Sequence, residues 1–590
     1  MLEVREVSLT AGLQADGEPL MLLRDVSAHF PRGHLCAVVG PSGSGKSTLL
    51  KVVAGIREPE IGTVHWEGRD LAHEGDLEPH EIGYVPQFGI SFDLLTVGES
   101  MQAALRLRVG GMNSTILRQR AEEILRDAGL WEIADRRTGV LSGGQKRRLA
   151  LAIEMASSPM LLLCDEVTSG LDSRSEDEIV HLLHRLAHDG PGRTLLSVTH
   201  SLRHLEVHDS VAVLFEGRLV YHGAPELLNH YFTISGPEQL FDCLQTRPPD
   251  AWRASWRKHR AAYYASLADE YRPVSRAEDE PPETPPVEEI FPAHAEVEEE
   301  AGVRFRRPAW ITQFRVLLTR QWRLLLRDTG QLILQLALLF GFPCLVVIFA
   351  WDGLPQIQNL AAAPSHNAVE QLVENTAFTL QAVRVGGLVS GLVMFQVILL
   401  TLMGSNNSAR EIAGQRAIFE KEKFAGLRTS AFLASKALYL SLVLVAQSLW
   451  MALFVNTICH FPGDLLRQGE ILVAVNAAMT FMCLGISAQM KTADHASLVS
   501  VYLVGFQLPL SGAVLALPHA VGWLTRPFVA AYWGWSGYLE TMRDTRFYDV
   551  VQMTARTDLA PFPVCILVLL AHALAGLLLA YIGARASQWD

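Results

Sequence analysis

The sequence predicts an α/β domain at the N-terminal end of the chain and an all-α domain of six membrane-spanning helices after it. Its 590 residues carry a net charge of −12, yet charged side chains crowd before residue 330 and long stretches beyond it have none. An apolar, strand-like run leads into a glycine-rich turn near residue 40, and six long apolar runs follow residue 330. The overall hydrophobic content of 49% therefore hides two unlike halves, which argue against a single soluble globule.

Composition also narrows the class of protein. The acidic balance argues against a nucleic-acid-binding protein, which usually presents a basic face. The seven cysteines are scattered without a CxxC pair, so neither a zinc site nor a disulfide framework is indicated. The first ten residues alternate like a strand and lack the apolar core of a secretory signal, so we expect the N-terminus to stay in the cytosol.

The negative charge is concentrated in one segment. Residues 276–300 hold ten acidic residues, one arginine and five prolines. Such a segment cannot bury enough apolar area to offset its ordering entropy. We interpret it as a solvated linker at a domain boundary, with a regulatory role as the less favoured alternative.

A basic amphipathic segment follows the linker. Residues 304–327 contain seven arginines, and their apolar side chains, including Trp310 and Trp322, recur at helical spacing. Arginine and tryptophan together suit a helix on the cytoplasmic leaflet. A soluble amphipathic helix is the alternative, but the apolar run directly after it favours the membrane.

Six runs have membrane length and contain no Asp, Glu, Lys or Arg. They are Gln331–Trp351, Val385–Met403, Ala437–Cys459, Ile471–Met490, Ala496–Leu517 and Pro561–Gly583. The loop between the second and third runs carries six Lys or Arg residues, whereas 352–383 carries none. The excess of basic residues places that loop in the cytosol, together with both ends of the chain.

Polar residues within these runs are costly in lipid and are candidates for contact with a substrate or for links between helices. They are Gln335, Gln396, Gln447, Asn476, Gln507 and His572. On the outer side, 518–558 contains the aromatic stretch Pro527–Leu539, which is too short to cross and fits a re-entrant or interfacial helix.

The chemistry of the first half starts with CAVVGPSGSGKSTLL at 36–50, a phosphate loop between a strand and a helix. Glycines let backbone N–H groups turn toward phosphates, and the helix N-terminus adds a positive dipole end. Lys46 would neutralise phosphate charge, and Ser47 would ligate Mg²⁺. The residues expected around the nucleotide are Gly40, Pro41, Ser42, Gly43, Ser44, Gly45, Lys46, Ser47 and Thr48.

Two carboxylates end the apolar run MLLLCDE at 160–166. Ligands bind at the carboxyl ends of strands in α/β sheets. Asp165 is therefore predicted to hold the Mg²⁺ shell, and Glu166 to polarise the attacking water. Taken alone, two carboxylates that merely cap a strand would be the favoured interpretation.

A second anion-binding turn, LSGGQ at 141–145, begins a helix about 100 residues after the first. Here the sequence resembles the ATP-binding cassette (ABC) ATPases. LSGGQ resembles their signature motif, Gln87 in YVPQF their Q-loop glutamine, SGLD at 169–172 their D-loop, and His200 in SVTHS their switch histidine. The order and spacing of these motifs fit the family throughout.

The resemblance assigns roles to these residues. Glu166, His200 and Gln87 would be catalytic, and Ser47, Gln87 and Asp165 would hold Mg²⁺. A partner's nucleotide would be bound by Ser142, Gly143, Gly144, Gln145 and Asp172. Members often stack an aromatic residue on adenine, but residues 11–25 offer none, so we expect weak base recognition, with GTP as an open alternative.

The order of a cassette followed by one six-span domain resembles the G (White-like) subfamily of half-transporters, with a type V exporter-like fold. Tyr221-His222-Gly223 and Phe419-x2-Glu422 resemble its patterns. We therefore predict a nucleotide-binding domain at 1–245, a linker at 246–303, a connecting amphipathic helix at 304–328 and a transmembrane domain at 329–590. A second cytosolic connecting helix is expected at 405–430.

The subfamily resemblance also implies coupling and gate residues. Glu422 and Arg384 are the coupling candidates, although such charges could merely solvate a loop. Ala513 and Val514 occupy the positions where members often carry paired leucines as a plug, so that gate is expected to be looser.

The implied function is ATP-driven export or flopping of a hydrophobic, lipid-like or drug-like compound. A homodimer with ATP and Mg²⁺ is favoured, and a heterodimer stays open. The alternative is a membrane-anchored ATPase that transmits force or signal to a partner; an importer is favoured less. Some eukaryotic members of the family that the chain resembles have cysteines in the final outer loop, and 518–558 has none, so the resemblance favours a bacterial inner membrane with the cassette in the cytosol.

Overall fold

The computed structural model describes the chain apart from 14–18, 88–90, 190–191, 271–306, 352–367, 514–516, 546–547, 550, 553–556 and 590. For 13, 266, 268–270, 368–384 and 519 it describes the backbone alone. Three expectations fall on these positions. The acidic linker at 276–300 and the gate candidate Val514 lie outside the described residues, as does the side chain of Arg384.

The chain forms two compact units. We call Met1–Thr312, Lys421–Leu427 and Gln588–Asp590 the cassette unit, and Gln313–Glu420 and Arg428–Ser587 the membrane unit. The predicted division into an α/β half and an all-α half is confirmed.

Two sheets organise the cassette unit. A four-stranded antiparallel sheet has the order β2-β1-β4-β5, and a six-stranded sheet has the order β10-β9-β3-β8-β7-β6. Only β10 runs antiparallel in the larger sheet. The strands are β1 Leu2–Leu13, β2 Pro19–Phe30, β3 His34–Val39, β4 Ile61–Trp66, β5 Arg69–Asp70, β6 Ile82–Val85, β7 Leu161–Asp165, β8 Thr194–Val198, β9 Ser210–Phe215 and β10 Arg218–Gly223.

The central strands are continuous apolar runs because helices cover both of their faces. Every residue of β3, β7 and β8 is buried, which is typical of parallel sheets in α/β proteins. The cassette helices are α1 Lys46–Val53, α2 Val97–Arg108, α3 Ser114–Asp127, α4 Gly143–Glu154, α5 Ser173–His188, α6 Pro225–Phe232, α7 Leu240–Leu244 and α8 Pro249–Glu270. Because β3 and β7 both run parallel to β8, their carboxyl ends lie at the same edge of the sheet.

The predicted boundary at residue 245 is wrong, because α8 belongs to the cassette. Trp252, Trp256 and Tyr264 are buried in the cassette core, and Trp252 Nε1 donates a hydrogen bond to the Leu244 carbonyl at 3.1 Å. Burial of these aromatic side chains fixes the helix on the domain. The linker can begin only after residue 270.

The membrane unit is helical, and within its described residues five helices are long and apolar enough to cross a membrane. Its described helices, of which α9 begins and α12 ends within the residues of the cassette unit, are α9 Trp310–Arg327, α10 Thr329–Ala350, α11 Ala368–Ser408, α12 Arg416–Phe424, α13 Thr429–Cys459, α14 Leu465–Gln489, α15 Ala493–Gly505, α16 Gln507–Leu510, α17 His519–Thr525, α18 Ala530–Glu540 and α19 Phe562–Ala586. The helices α10, α13, α14 and α19 correspond to predicted spans, and α11 extends beyond the predicted second one.

The predicted fifth span, Ala496–Leu517, is not one continuous helix. It consists of α15 and the single turn α16, and Pro509 lies within that turn. Proline has no N–H to donate, which weakens the helix at this point. The helix ends before Gly512, whose φ of +75° lies in the left-handed region. A sixth crossing in this stretch therefore stays a prediction.

The prediction of a single connecting helix at 405–430 is also wrong. The segment contains the end of α11, a 3₁₀ turn at Ala413–Gln415, α12 and a turn at Gly426, where φ is +97°. The left-handed glycine ends α12 and allows α13 to begin at Thr429. The other predicted connecting helix, at 304–328, corresponds to α9, which lies within that range.

The aromatic stretch Pro527–Leu539 forms α18 after a short 3₁₀ turn. Trp535 and Tyr538 are fully buried in the membrane unit, and the Trp535 Nε1 donates to Ser390 Oγ at 3.2 Å. An 11-residue helix is too short to span a bilayer. Its re-entrant position within the membrane stays a prediction.

Candidate nucleotide site

The phosphate loop lies between β3 and α1, as the sequence predicts. Gly45 caps the N-terminus of α1 with a φ of +96°. A Cβ atom at this position would lie 2.6 Å from the Leu22 carbonyl oxygen. Both the conformation and the space therefore require glycine here. The turn directs the first N–H groups of α1 toward the space beside the loop, where an anion is stabilised.

The Lys46 ammonium lies inside this loop. It donates hydrogen bonds to the carbonyl oxygens of Gly40 at 2.9 Å and Pro41 at 2.8 Å. Burial lowers the pKa of Lys46, while the nearby carboxylates of Glu166 and Asp165 oppose that shift. An ammonium has three protons, and these carbonyls accept two of them. Its charge and its remaining proton suit a phosphate oxygen.

The predicted magnesium ligands Ser47 and Asp165 are neighbours. Ser47 Oγ donates to Asp165 Oδ1 at 2.8 Å, and Tyr84 OH donates to Asp165 Oδ2 at 3.4 Å. Burial raises the pKa of Asp165, and the hydrogen bond from Ser47 opposes the rise. A hydroxyl and a carboxylate beside a phosphate cradle are the oxygen donors that Mg²⁺ prefers. The residues present therefore fit this ion.

Glu166 is held on both carboxylate oxygens by the other two predicted catalytic residues. Gln87 Nε2 donates to Glu166 Oε2 at 2.6 Å, and His200 Nε2 lies 2.6 Å from Glu166 Oε1. Glu166 also adopts a φ of +49°, which is uncommon for a residue with a side chain. Such strain persists only where the surroundings fix it and is found at functional sites. The structure thus brings together the three residues that the sequence assigns to catalysis.

The signature turn is built as a helix cap. Ser142 Oγ accepts a hydrogen bond from the Gln145 N–H at 3.3 Å, and the Gln145 side chain accepts one from the Ser142 N–H at 3.1 Å. Asp172 caps α5 by accepting two hydrogen bonds from Ser175, one from its N–H at 3.0 Å and one from its Oγ at 2.8 Å. A Cβ at Gly144 would lie 3.0 Å from Ser175 Oγ, so the signature turn packs against the start of α5. The described hydrogen bonds of Ser142 and Gln145 stay within the turn.

Among the polar residues predicted in the membrane runs, three form one network with a residue that the sequence did not single out. Asn407 on α11 contacts Gln335 on α10 at 3.1 Å and Gln447 on α13 at 2.7 Å. Asn476 on α14 donates to Ser448 Oγ at 3.1 Å and lies 3.5 Å from Gln447 Oε1. The network joins four helices, which favours the interpretation as links between helices.

The other three predicted polar residues differ among themselves. Gln507 Oε1 accepts the N–H of Ala531 at 3.0 Å, and His572 Nε2 lies 2.7 Å from the Pro527 carbonyl oxygen. Gln396 is fully buried, and neither atom of its amide has a partner among the described residues. His572 Nδ1 is also buried without a partner among the described residues, so of the six only Gln396 lacks a described partner at every polar atom of its side chain.

The remaining predicted residues are placed less informatively. Glu422 is half-buried in α12, and Ala513 is half-buried in the turn after α16. Tyr84 and a buried ion cluster of Arg108, Glu154 and Lys421 were not predicted from the sequence. The only signal for the cluster was a lone carboxylate at the end of the otherwise apolar LALAIE.

Comparisons with known proteins agree with this arrangement. Residues 23–169 match the family model described as ABC transporter, and residues 312–532 match the model described as ABC-2 type transporter. The ABC transporter ATP-binding/permease protein Rv1747 of Mycobacterium tuberculosis is 29% identical over 559 residues, which cover 92% of this chain. The chain spans 57% of the length of that relative.

Two further likenesses concern the cassette. The methionine import ATP-binding protein MetN of Pasteurella multocida is 34% identical over 273 residues, which are 43% of this chain and 78% of the relative. An ATP-binding cassette solved as a dimer with ADP and Pi is 29% identical, covering 38% of this chain and 99% of that chain, with a TM-score of 0.35. With both family models matched in this order, the chain belongs to the ABC transporter family and carries an ABC ATPase domain N-terminal to an ABC-2 type membrane domain.

Proposed function

We propose that this protein is an ATP-driven membrane transporter and that Glu166 is its general base for ATP hydrolysis. The observation that carries the proposal is the position of Glu166. Glu166 follows Asp165, which ends β7 and accepts a hydrogen bond from Ser47. Each oxygen of the Glu166 carboxylate lies 2.6 Å from a side-chain nitrogen, one of Gln87 and one of His200. A carboxylate fixed beside a phosphate loop is suited to accept a proton from water.

The chemistry follows from these groups. A water oxygen attacks the γ-phosphorus of ATP, the bond to the oxygen that bridges to the β-phosphate breaks, and the water proton passes to Glu166. Lys46 and the N-terminus of α1 offset the negative charge of the phosphates. Ser47, Asp165 and Gln87 would hold Mg²⁺, which neutralises charge on the phosphate oxygens when bound. His200 and Gln87 orient the carboxylate of Glu166.

A dimer of two copies is the proposed working unit. In the family, each nucleotide lies between the phosphate loop of one cassette and the signature of the other. This chain has one phosphate loop at 40–47 and one signature at 142–145. Since both motifs are intact, two identical copies can form two complete sites, which favours a homodimer over a heterodimer.

The proposed direction is export or flopping of a hydrophobic or amphipathic compound. The order of the two matched domains agrees with the White-like half-transporters, and the membrane unit exposes large apolar side chains such as Ile333 and Leu567. The relatives that carry an import name match this chain over its cassette. The less favoured alternative is a membrane-anchored ATPase that drives a partner.

The proposed location is the inner membrane of a bacterium, with the cassette in the cytosol. The six Lys and Arg residues between the second and third predicted spans support this orientation.

The decisive experiment compares ATP hydrolysis by the wild type and by Glu166→Gln in lipid nanodiscs. Loss of the general base is expected to lower the rate by about 10²- to 10⁴-fold while ATP still binds. Glu178→Gln, a change in a partly exposed carboxylate of α5, serves as the matched control and keeps the rate. A Glu166→Gln protein that hydrolyses ATP at the wild-type rate would refute the assignment.

The class of substrate is tested in the same preparation. Lipids, sterols and amphiphilic drugs are added singly, and one chemical class is expected to stimulate the wild type and not Glu166→Gln. A robust basal rate that no compound changes would instead favour the alternative in which the chain drives a partner.

A further inference from the structure

Three side chains that can ligate a metal lie together in the cassette unit, apart from the nucleotide site. His184 and His188 are four residues apart near the C-terminal end of α5, and Asp209 comes directly before β9. Ligand atoms of the three side chains all lie within 4.8 Å of one another. We call these three residues the histidine cluster. Residues four apart share one face of a helix, so both imidazoles can reach the same point.

The ring of His188 is oriented by a hydrogen bond to the backbone. Its Nδ1 lies 2.9 Å from the carbonyl oxygen of His184. Because a carbonyl oxygen only accepts hydrogen bonds, Nδ1 carries a proton and donates it here. In the neutral ring, Nε2 therefore keeps a free lone pair. Metal-binding histidines usually make such a second hydrogen bond, which fixes both the tautomer and the orientation of the ring.

Asp209 is fixed in a similar manner. Its Oδ2 accepts the N–H of Leu35 at 2.7 Å, and its Oδ1 lies 3.2 Å from His188 Nε2. With a neutral His188, these two electron-rich atoms repel each other unless a cation lies between them. That cation is either a proton on Nε2 or a metal ion. The contact between Asp209 and His188 thus marks a place where a cation is held.

The spacing of the two atoms suits a metal ion. Zn²⁺ forms bonds of about 2.0 Å to imidazole nitrogen and carboxylate oxygen, so two ligand atoms of a tetrahedral site lie about 3.3 Å apart. The observed distance of 3.2 Å fits this value. The ligand atom of His184 has to move by at most about 1.5 Å to reach the same spacing. Its half-buried ring, stacked on that of His188 with centroids 4.3 Å apart, can rotate that far.

The donor atoms select the class of cation. Two imidazole nitrogens and one carboxylate oxygen are typical ligands of Zn²⁺ and neighbouring transition metals, whereas Mg²⁺ and Ca²⁺ prefer oxygen alone. Three protein ligands leave the fourth position to water. The side chains of His188 and Asp209 are 34% and 18% exposed, so an ion can enter from solvent. The lack of a CxxC pair in the sequence bears on thiolate sites alone.

The histidine cluster is separate from the catalytic residues. Asp209 is bonded to Leu35 at the start of β3, and the phosphate loop begins five residues further along at Gly40. A strand rises about 3.3 Å per residue, so about 17 Å lie between these two positions. A metal ion in the cluster is therefore too far away to act on ATP. It would instead join the end of α5 to the segment that leads into β9.

We propose that His184, His188 and Asp209 bind a divalent transition-metal cation, of which Zn²⁺ is the representative. The bound ion links two segments of the cassette that are distant in sequence and so stabilises this edge of the sheet. The site goes beyond the proposed transport function, because binding of the ion involves neither ATP nor the membrane unit.

The test measures Zn²⁺ binding to the full chain in nanodiscs, prepared without a polyhistidine tag. Equilibrium dialysis with metal analysis counts the bound ions, and hydrogen–deuterium exchange locates them. The wild type is expected to bind one Zn²⁺ more than His184→Gln or His188→Gln. At about ten times its Kd, Zn²⁺ is expected to slow exchange at the end of α5 about tenfold in the wild type, because it binds the closed form alone.

His181→Gln is the matched control. This histidine also lies on α5, but it pairs with Asp177 at 3.3 Å and is no member of the histidine cluster. Its variant is expected to bind Zn²⁺ and to respond as the wild type does. Mg²⁺ in place of Zn²⁺ is expected to leave exchange at the end of α5 unchanged. Because both imidazoles of the cluster are partly exposed, their replacement is expected to leave exchange in β7 unchanged.

Three results would overturn the inference. The first is equal Zn²⁺ binding and equal protection of α5 in the wild type and in both cluster variants. The second is a wild type in which Zn²⁺ leaves α5 unprotected, since the cation beside His188 is then a proton. The third is protection by Mg²⁺ as strong as that by Zn²⁺, which would show binding by charge alone. None of these readouts involves ATP, so each leaves the proposed role of Glu166 unaffected.

Discussion

The two units bury polar groups by different means. The cassette unit hides full charges, as in the ion cluster of Arg108, Glu154 and Lys421. The membrane unit instead joins α10, α11, α13 and α14 through the neutral side chains of Gln335, Asn407, Gln447 and Asn476. Lys436, paired with Glu411 at 2.6 Å, is an exception to that pattern near the start of α13.

The difference reflects the solvent on the other side of each helix. A cassette helix in water can place its charges on one face and pair those few that are buried. A membrane helix faces hydrocarbon, where an unpaired charge costs several kcal/mol. Neutral amides can therefore link such helices at a lower desolvation cost than charges can. We therefore expect that removing one polar partner lowers the free energy of unfolding much more in the cassette unit than in the membrane unit.

The largest effect is expected when the ion cluster is cut. Glu154→Ala leaves Arg108 and Lys421 buried without a counter-charge, so the cassette should lose about 3–5 kcal/mol of stability. Hydrogen exchange of β7 and α4 peptides measures the loss. Arg126→Ala breaks the exposed pair with Glu122 and should cost less than about 1 kcal/mol. Equal effects of the two changes would contradict the role assigned to burial.

Acid should weaken the cassette at a defined pH. Burial lowers the pKa of His34 to about 4 and that of His222 to about 3. The unfolded chain binds protons at these histidines below about pH 6.5 while the folded cassette does not, so stability is lost as the pH falls. At pH 5 each histidine should cost about 2 kcal/mol relative to neutral pH.

Urea unfolding of the cassette in the full chain, between pH 7 and pH 5, checks this slope. The double change His34→Gln and His222→Gln should flatten it, whereas a change at His73, whose side chain is 78% exposed, should not. Glu154 contributes only below about pH 4.5, its unfolded pKa, because its folded pKa is about 2. A slope that survives in the double variant would place the acid sensitivity elsewhere.

A smaller effect is expected when the amide network of the membrane unit is cut. Gln447→Leu removes contacts to Gln335 and Asn407 and should destabilise the unit by about 1 kcal/mol. Unfolding in mixed micelles with rising SDS measures the change. Leu449→Ala, on the exposed face of the same helix, is the control. A loss as large as that of Glu154→Ala would remove the contrast between the two units.

The smallest effect should have the opposite sign. The buried amide of Gln396 has no partner among the described residues, so Gln396→Leu should leave stability unchanged or raise it by about 1 kcal/mol. The same SDS titration measures it. If transport falls while stability rises, Gln396 contacts the substrate; a marked loss of stability would show that the amide is satisfied in the folded protein.

Much of the fold follows from local patterns. Continuous apolar strands and a glycine-rich turn predict the α/β unit, and apolar runs of membrane length predict most of the long helices, because both depend on neighbours in sequence. The break at Pro509 and the turn at Gly426 were missed because apolar content alone does not report where a helix bends or ends. The packing of α8 on the cassette was not predicted, because its Trp and Tyr side chains do not show in the sequence which surface buries them.

The sequence by itself determined the chemistry of the nucleotide site. Gly45, Lys46, Asp165 and Glu166 are named by short motifs, since phosphate binding needs particular backbone turns and charges in a fixed local order. Only the tertiary structure decided which residues distant in sequence contact each other. It joined Gln87 and His200 to Glu166, and it placed Lys421 on Glu154, although 267 positions separate them in the chain. Contacts of that range depend on how whole helices and sheets pack, and no local pattern in the sequence encodes them.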